Sequence, residues 1–318
     1  MTTKTLLEIV LSFGLSTLLC PLMIPLLKKI RFGQYIREEG PREHYKKSGT
    51  PTMGGVVILA ASVLPSLLFV RESPEITPIL FLMAGFALVG FLDDYLKVAN
   101  KRNLGLKSWQ KLVLQGLVTG VFALYLLKQT ESAAVIRIPF LGELFGLKLP
   151  EYFGLIFFAV LGTANGVNLT DGLDGLAASV TAMIAVFFAF VSAAEGGGIE
   201  TVAGAVAGSL MGFLLFNAYP ARVFMGDTGS LALGGFVAGA ACVLHLELIL
   251  PVVGFIYVME VVSVILQVGY FKLTHGKRIF KMAPFHHHLE LCGWSESRIV
   301  AVFSIITALL CLIAYKII

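Results

Sequence analysis

The chain consists mainly of long apolar runs that are separated by short polar stretches. Ten such runs fall at residues 5–27, 53–70, 76–92, 109–127, 151–166, 173–194, 201–218, 231–245, 248–270 and 299–317. A helix needs roughly 20 apolar residues to cross the hydrocarbon core of a bilayer. The pattern therefore predicts an all-α, polytopic integral membrane protein with about ten transmembrane helices. Nine spans are an alternative, because the runs at 151–166 and 231–245 are short.

Composition supports this class and excludes an ordinary soluble enzyme. Of the 318 residues, 57% are hydrophobic and 14% are charged, whereas soluble domains carry about 25% charged residues. The first run is too long for a secretory signal peptide and lacks a small-residue cleavage site, so we expect it to remain as a span. No repeat or linker divides the chain, which predicts a single domain over residues 1–318. The alternating pattern of the loop 128–150 predicts a short β-hairpin.

The lysines and arginines are concentrated on one set of loops. Eighteen of the 24 follow the first, third, seventh and ninth apolar runs. Loops rich in Lys and Arg stay in the cytoplasm, so these loops are predicted to be cytoplasmic and both termini to lie outside. The alternation also favours ten spans, because the loss of one span would disrupt it.

Four short polar motifs lie at the borders of apolar runs on the predicted cytoplasmic side. They are FLDDYLK with Asp93, Asp94 and Lys97, NLTDGLDG with Asn168, Asp171 and Asp174, NAYPARVFMGDTGS with Asn217, Phe224 and Asp227, and APFHHHLE with His286, His287 and His288. Ionisable side chains at membrane depth are costly and usually mark function. Taken singly, the carboxylates also fit an alternative role as helix N-caps. Three consecutive histidines in a helix point in different directions, so at most two can serve one site.

The residue types in these motifs favour phosphoryl transfer at the membrane surface. Mg²⁺ usually takes one or two carboxylates together with substrate phosphate oxygens, and nearby lysines suit phosphate. A lipid phosphate is an anionic nucleophile near neutral pH, and Asp93 or Asp94 is the candidate base. A covalent route, in which Asp93 or Asp94 forms an aspartyl-phosphate, fits the same residues. Phe224 is a candidate platform on which a base could stack.

Together with SGTPTMGG at residues 48–55, these motifs resemble those of the phospho-N-acetylmuramoyl-pentapeptide transferase family, within the polyprenyl-phosphate N-acetylhexosamine 1-phosphate transferase superfamily. The resemblance implies transfer of phospho-N-acetylmuramoyl-pentapeptide from UDP-N-acetylmuramoyl-pentapeptide to undecaprenyl phosphate, which gives lipid I and UMP in peptidoglycan synthesis. It also implies ten helices, Mg²⁺ as cofactor, a homodimer and no nucleic acid partner. The implied location is the bacterial inner (plasma) membrane, with the active site facing the cytoplasm.

The resemblance also implies roles by motif position. Asp227 is the implied Mg²⁺ ligand. The implied catalytic residues are Asp93, Asp94, Asp227 and His286. The implied substrate-binding residues are Lys46, Lys97, Lys111, Asn168, Asp171, Asp174, Asn217, Phe224, Gln267, His287 and His288. The ninth span is broken in this family, and Gly269 and the basic run through Lys281 are expected to carry its cytoplasmic extension.

Two other functions compete with this interpretation. The nearer is a sister transferase that uses UDP-N-acetylglucosamine and a polyprenyl phosphate with the same aspartates. The HHHLE and SGTPTMGG segments argue against it, because they are particular to the muramoyl-pentapeptide branch. The other is a transporter with an ion path. Transporter sites lie near the bilayer midplane, whereas these carboxylates lie at one interface, which favours an enzyme.

Overall fold

The computed structural model describes residues 3–29, 47, 49–99, 105–129, 134–141 and 144–318. Within these residues the helices are α1 Thr3–Lys29, α2 Gly55–Leu67, α3 Ile76–Ala99, α4 Ser108–Gln129, α5 Leu149–Thr170, α6 Leu176–Glu195, α7 Glu200–Asn217, α8 Gly226–Val243, α9 Leu250–Val253, α10 Phe255–Leu273, α11 Phe285–Leu291 and α12 Glu296–Ile317. A 3₁₀ turn at Glu247–Ile249 and two short strands, β1 Val135–Arg137 and β2 Leu144–Gly146, accompany them.

Each of the ten apolar runs is helical, and the chain is an all-α polytopic membrane protein. Within the described residues, eight helices are long and apolar enough to cross a membrane, namely α1, α3, α4, α5, α6, α7, α10 and α12. Helix α2 has only 13 residues. Helix α8 has 18 residues and starts at Gly226, before the predicted run, so that its first turn is polar. The ninth run is interrupted at Gly254, near its start. The break expected at Gly269 is not found, because Gly269 lies inside α10, which continues to Leu273.

The hairpin predicted in the loop 128–150 is confirmed by the antiparallel pairing of β1 with β2. The Phe140 N–H donates to the Ile317 carbonyl oxygen at 2.8 Å. An ion pair of 2.7 Å joins Arg137 to Glu195. The hairpin therefore lies at the end of the bundle where α6 and α12 terminate.

The polar motifs meet at the opposite end of the bundle. Helices α3 and α5 finish there with FLDDYLK and NLTDGLDG, and α8 begins there with GDTGS. Side chains from these three helices are hydrogen-bonded to one another. The helices alternate in direction, and this alternation gathers motifs that are far apart in the sequence.

Helix α8 lies at the centre of the bundle, against α2, α3, α5 and α6. Its residues from Thr228 to Cys242 are all buried. One close approach is to α3, where a Cβ atom on Gly90 would lie 2.2 Å from the Asp227 carbonyl oxygen. Only glycine allows two helix backbones to come this close. The end of α3 and the start of α8 are therefore held in direct contact, at the level of the polar motifs.

The outer helices expose apolar side chains around the bundle. Leu18 and Leu22 of α1 are 69% and 70% exposed, and Leu312 of α12 is 67% exposed. Apolar surface of this extent is unfavourable in water and suits contact with lipid tails.

Candidate active site

Three carboxylates converge where α3 meets α8. Asp93 and Asp94 lie near the end of α3, and Asp227 lies in the first turn of α8. One oxygen from each carboxylate lies within 4.8 Å of the others. Asp93 and Asp94 are each only 3% exposed. Like charges this close repel each other strongly unless cations lie between them.

Asp94 joins α3 to the start of α8. Its Oδ2 accepts hydrogen bonds from the Thr228 N–H at 2.9 Å and from the Thr228 hydroxyl at 2.7 Å. Its Oδ1 accepts from the Asp227 N–H at 3.2 Å. The first N–H groups of a helix have no acceptor within the helix. For α8, the carboxylate of Asp94 in α3 provides this acceptor. The N-cap interpretation is therefore wrong for Asp227, which lies inside the first turn that Asp94 caps.

Two lysines and an amide surround Asp227. Lys97 Nζ lies 2.6 Å from Asp93 Oδ2 and 3.0 Å from Asp227 Oδ2. Lys111 Nζ lies 2.8 Å from the same Asp227 oxygen and 3.1 Å from Asn168 Oδ1. The Asn168 amide donates to Asp227 Oδ1 at 2.9 Å. Five of the predicted residues, from α3, α4, α5 and α8, thus form one connected network.

The donor set of this network fits Mg²⁺. Carboxylate oxygens are the ligands that Mg²⁺ prefers, and one or two of them suffice when substrate phosphates supply the others. Both oxygens of Asp94 already accept hydrogen bonds from α8. Asp93 and Asp227 direct one oxygen each at the ammonium group of Lys97. These two residues could hold a divalent cation at a place that already attracts positive charge.

The turn at residues 171–175 is held by ionic contacts. Asp174 Oδ1 lies 2.7 Å from Lys47 Nζ, and the same ammonium group lies 2.7 Å from Glu296 Oε2. Asp174 Oδ2 accepts from the Ala221 N–H at 2.8 Å. Helix α6 begins after Gly175, whose φ is +78°, and no side chain caps it. The N-cap interpretation is therefore wrong for Asp174 as well, because its carboxylate binds two other segments.

Asp171 follows α5 directly and lies close to the other carboxylates. Burial, and then the charges of Asp227 and Asp94, raise the pKa of the Asp171 carboxyl well above its usual value of 3.8. Ionising this group is therefore unfavourable in the protein without bound ligand. A cation or a hydrogen-bond donor placed beside it would reverse that preference.

Replacing Asp171 with asparagine is expected to raise the melting temperature of the purified protein, by an amount that grows with pH. The folded protein keeps a proton that the unfolded chain releases above about pH 4, so wild-type stability falls as the pH rises toward the folded-state pKa. Asparagine does not titrate and escapes this loss. Melting in detergent at about pH 5 and about pH 8 measures the difference. Asp174→Asn is the matched control, and it should lower the melting temperature because it removes the ion pair with Lys47.

An equal gain for Asp171→Asn at both pH values would contradict the raised pKa. A gain at the lower pH that disappears at the higher one would contradict its sign.

Asn217 and Phe224 lie in and after the loop that follows α7. The Asn217 amide donates to the Val223 carbonyl oxygen at 2.9 Å and so holds this loop together. The Phe224 N–H donates to the Pro51 carbonyl oxygen at 2.8 Å, and its own carbonyl accepts from the Gly54 N–H at 2.8 Å. The ring of Phe224 is half-buried. The pairing fixes it beside the segment that leads into α2.

The three histidines of α11 face different groups, as helix geometry predicts. His286 is fully buried, and its ring Nδ1 lies 3.2 Å from Glu260 Oε1. His287 Nδ1 lies 2.6 Å from Glu290 Oε2. The ring of His288 accepts from the backbone N–H of Lys281 at 3.2 Å.

Gln267 binds backbone in this structure. Its side-chain oxygen accepts from the N–H groups of Ile279 and Phe280 at 3.1 and 3.0 Å, and its amide donates to the Phe280 carbonyl oxygen at 3.1 Å. Gln267 thus fixes the chain that follows α10, and its contact with a substrate stays a prediction. Lys46 lies outside the described residues.

Three charged residues at this end were not predicted as site residues. Lys47 is the neighbour of the predicted Lys46, and it forms the ion pairs with Asp174 and Glu296. Glu260 is a carboxylate inside the apolar run 248–270, and the rule that ionisable residues at membrane depth mark function would have identified it. Glu296 carries no comparable signal, because a glutamate in the first turn of a helix is common.

Two family models match the chain. A model described as glycosyl transferase family 4 matches residues 76–245, which is more than half of the chain. A model described as phospho-N-acetylmuramoyl-pentapeptide-transferase signature 1 matches residues 47–59. The first match includes the three converging carboxylates. The second includes Lys47 and the segment that pairs with Phe224.

Three relatives named phospho-N-acetylmuramoyl-pentapeptide-transferase are similar over nearly their whole length. The chain is 51% identical over 316 residues to that of Clostridium perfringens strain 13, which covers 98% of both chains. It is 49% identical over 310 residues to that of Clostridium novyi, covering 97% of this chain and 95% of the relative. It is 48% identical over 309 residues to that of Acetivibrio thermocellus, covering 96% and 93%.

Proposed function

The chain belongs to the phospho-N-acetylmuramoyl-pentapeptide-transferase family, and we propose that it transfers phospho-N-acetylmuramoyl-pentapeptide from its UDP carrier to undecaprenyl phosphate. The products are lipid I, which serves peptidoglycan synthesis, and UMP. The observation that carries the proposal is the convergence of Asp93, Asp94 and Asp227 beside two lysines. Such a cluster suits a reaction in which most of the work is charge neutralisation and positioning of phosphates.

Asp227 is proposed to hold Mg²⁺, and the convergence of its oxygen with those of Asp93 and Asp94 supports this assignment. When bound, Mg²⁺ neutralises charge on the pyrophosphate of the UDP substrate. Lys97 and Lys111 are proposed to contact the phosphate oxygens. Their ammonium groups lie 3.0 and 2.8 Å from Asp227 Oδ2. Substrate phosphate would therefore meet two cations that are already held at the cluster.

Asp93 is proposed as the base that takes a proton from the lipid phosphate. Its Oδ1 accepts from the Leu106 N–H at 2.8 Å, and its Oδ2 lies beside Lys97 Nζ. Both oxygens of Asp94, in contrast, accept hydrogen bonds from the start of α8. In the direct route, an oxygen of the lipid phosphate attacks the phosphorus that carries the sugar, and UMP leaves. Asp94 is proposed to serve this step through α8, by holding Asp227 in place.

The remaining predicted residues are proposed for the UDP substrate. They are Lys46, Asn168, Asp171, Asp174, Asn217, Phe224, Gln267, His286, His287 and His288. The half-buried ring of Phe224 supports stacking with the uracil base, since aromatic side chains bind bases in this way. The hydrogen bond from Asn168 to Asp227 supports a site that is continuous with the carboxylates.

The polar end of the bundle is proposed to face the cytoplasm of the bacterial plasma membrane. The support is the excess of Lys and Arg on the loops at this end, together with the positive-inside rule. The UDP substrate is soluble and would reach the site from this side. A homodimer is proposed on the family resemblance alone.

We expect the purified protein in detergent to release UMP when it is supplied with undecaprenyl phosphate, Mg²⁺ and UDP-N-acetylmuramoyl-pentapeptide. UDP-N-acetylglucosamine in the same assay should release no UMP above background. Reactions without the lipid phosphate, and reactions with a chelator in place of Mg²⁺, are the controls.

Release of UMP from UDP-N-acetylglucosamine instead would assign the protein to the sister transferases, with the same type of reaction but a different substrate. If protein that elutes as a single folded species releases UMP from neither substrate, the proposed enzyme activity is contradicted. Full turnover in the presence of the chelator would contradict the proposed Mg²⁺ requirement. It would not contradict the proposed transfer reaction.

A further inference from the structure

A buried carboxylate lies in α10, outside the carboxylate cluster. Glu260 is 0% exposed and belongs to an otherwise apolar membrane segment. Burying a carboxylate in such a place is costly unless it has a polar partner. The roles proposed above for the transfer do not use Glu260, so its position requires another explanation.

Both oxygens of Glu260 face the same residue. Oε2 accepts a long hydrogen bond of 3.4 Å from the backbone N–H of His286, in the first turn of α11. Oε1 lies 3.2 Å from Nδ1 of the His286 ring. The carboxylate therefore approaches the backbone and the side chain of His286 together. A carboxylate beside Nδ1 also favours the tautomer that carries its proton there.

The other edge of the His286 ring lies against the 171–175 turn. A Cβ atom on Gly172 would lie only 2.2 Å from His286 Nε2 and 2.7 Å from Cε1. Neither Nε2 nor Nδ1 of His286 has a hydrogen-bond partner among the described residues, so the contact of Nδ1 with Glu260 Oε1 is electrostatic. The ring of His287 also packs against that of His286, with 4.1 Å between the ring centroids. The His286 ring is 0% exposed. It therefore packs against the turn that carries Asp171 and Asp174, from inside the protein.

We propose that Glu260 is a positioning residue for binding of the UDP substrate, and that it acts through His286 on the 171–175 turn. The contact chain runs from the Glu260 carboxylate to the imidazole ring and from the ring to the backbone of Gly172. This proposal rests on the proposed function, which assigns Asp171 and Asp174 to the UDP substrate. His286 is in this view a positioning residue as well, and this role replaces the substrate contact proposed for it above, because its ring is fully buried against the turn.

The test compares Glu260→Gln with the wild type in the UMP-release assay. Glutamine keeps the shape of the side chain and removes its charge, so the ring loses the partner that orients it. The KM for UDP-N-acetylmuramoyl-pentapeptide should rise at least about tenfold, since small displacements of binding groups are costly. The KM for undecaprenyl phosphate and the Mg²⁺ requirement should stay unchanged. Glu8→Gln is the matched control, because Glu8 is also a fully buried carboxylate in a membrane helix and should leave all of these values unchanged.

Coupling between the two residues gives a readout that a general loss of stability would not produce. If Glu260 acts through His286, adding Glu260→Gln to His286→Asn should raise the KM no further. Additive effects of the two changes would overturn the proposed contact chain. An unchanged KM in folded Glu260→Gln would overturn the proposal entirely.

If Glu260→Gln does not fold, Gly172→Ala decides the matter. The added Cβ would press on His286 Nε2 and move the turn, so the same rise in KM is expected, and an unchanged KM would overturn the proposal. Calorimetric binding of UDP gives the same comparison without turnover. Weaker UDP binding by the variant would support the positioning role even if the wild type released no UMP, a result that would count against the proposed function alone.

Discussion

Replacing Asp227 with asparagine is expected to reduce UMP release by at least about 10³-fold, the scale seen when a main electrostatic group is removed from an active site. Asp227 is the common partner of Lys97, Lys111 and Asn168, at 3.0, 2.8 and 2.9 Å. The amide would leave both ammonium groups without this negative charge and would remove a proposed Mg²⁺ ligand. Initial rates over a Mg²⁺ titration measure the effect.

Glu200→Gln is the control for Asp227→Asn. Glu200 is likewise an acidic residue in the first turn of its helix, α7, but that turn lies at the other end of the bundle. Its turnover should match that of the wild type. Asp227→Asn with wild-type turnover and wild-type Mg²⁺ dependence would place both the metal and the reaction elsewhere.

Replacing Gly90 with alanine is expected to lower turnover on the order of 10²-fold, because misplacing catalytic groups by about 1 Å has this effect. The new Cβ would lie 2.2 Å from the Asp227 carbonyl oxygen and 2.7 Å from the Thr228 Cα, both of which are backbone atoms that cannot rotate away. Helices α3 and α8 would have to separate by about 1 Å to restore an ordinary packing distance. The melting temperature should fall too, since overpacking a core costs about 1–3 kcal/mol.

Gly162→Ala is the matched control for this substitution. Gly162 is also a helix glycine, in α5, but a Cβ added there meets no atom within 4 Å. Its turnover and melting temperature should not fall. If Gly90→Ala behaves in the same way, the close approach of α3 and α8 is not what aligns Asp93 with Asp227. Loss of stability with full turnover would separate packing from alignment.

The apolar pattern predicted the helices that carry the aspartate motifs, because lipid requires long apolar segments and leaves little ambiguity about where they lie. It did not predict α11, the short helix that carries the histidines. The beginning of α8 shows where this reasoning stops. Polar residues 226–230 precede the predicted apolar run at 231–245. They are nevertheless helical, because Asp94 of α3 caps the start of the helix. A partner that is 134 residues away leaves no trace in the local pattern.

The sequence indicated which residue types gather at this end of the bundle, but it did not indicate the contacts between them. The four motifs are found at one end of the bundle, and Asp93, Asp94, Lys97, Lys111, Asn168 and Asp227 form one network. The sequence did not show how the residues within one motif differ in their contacts. Asp93 and Asp94 are adjacent and chemically identical, and only packing separates them, since α8 engages Asp94. Likewise, the contact of His286 with Glu260 joins two different helices and could not be read from the histidine motif.

The ion pairs of Lys47 have a consequence for how the protein is made. Lys47 binds Asp174, which is 127 positions later, and Glu296, which is 249 positions later. During synthesis, the first of these partners emerges long before the second. The 171–175 turn therefore gains its full set of ionic contacts only when α12 has joined the bundle. Long-range contacts of this kind form late in folding, so the membrane can hold a nearly complete bundle in which the 171–175 turn does not yet have all of its ionic contacts.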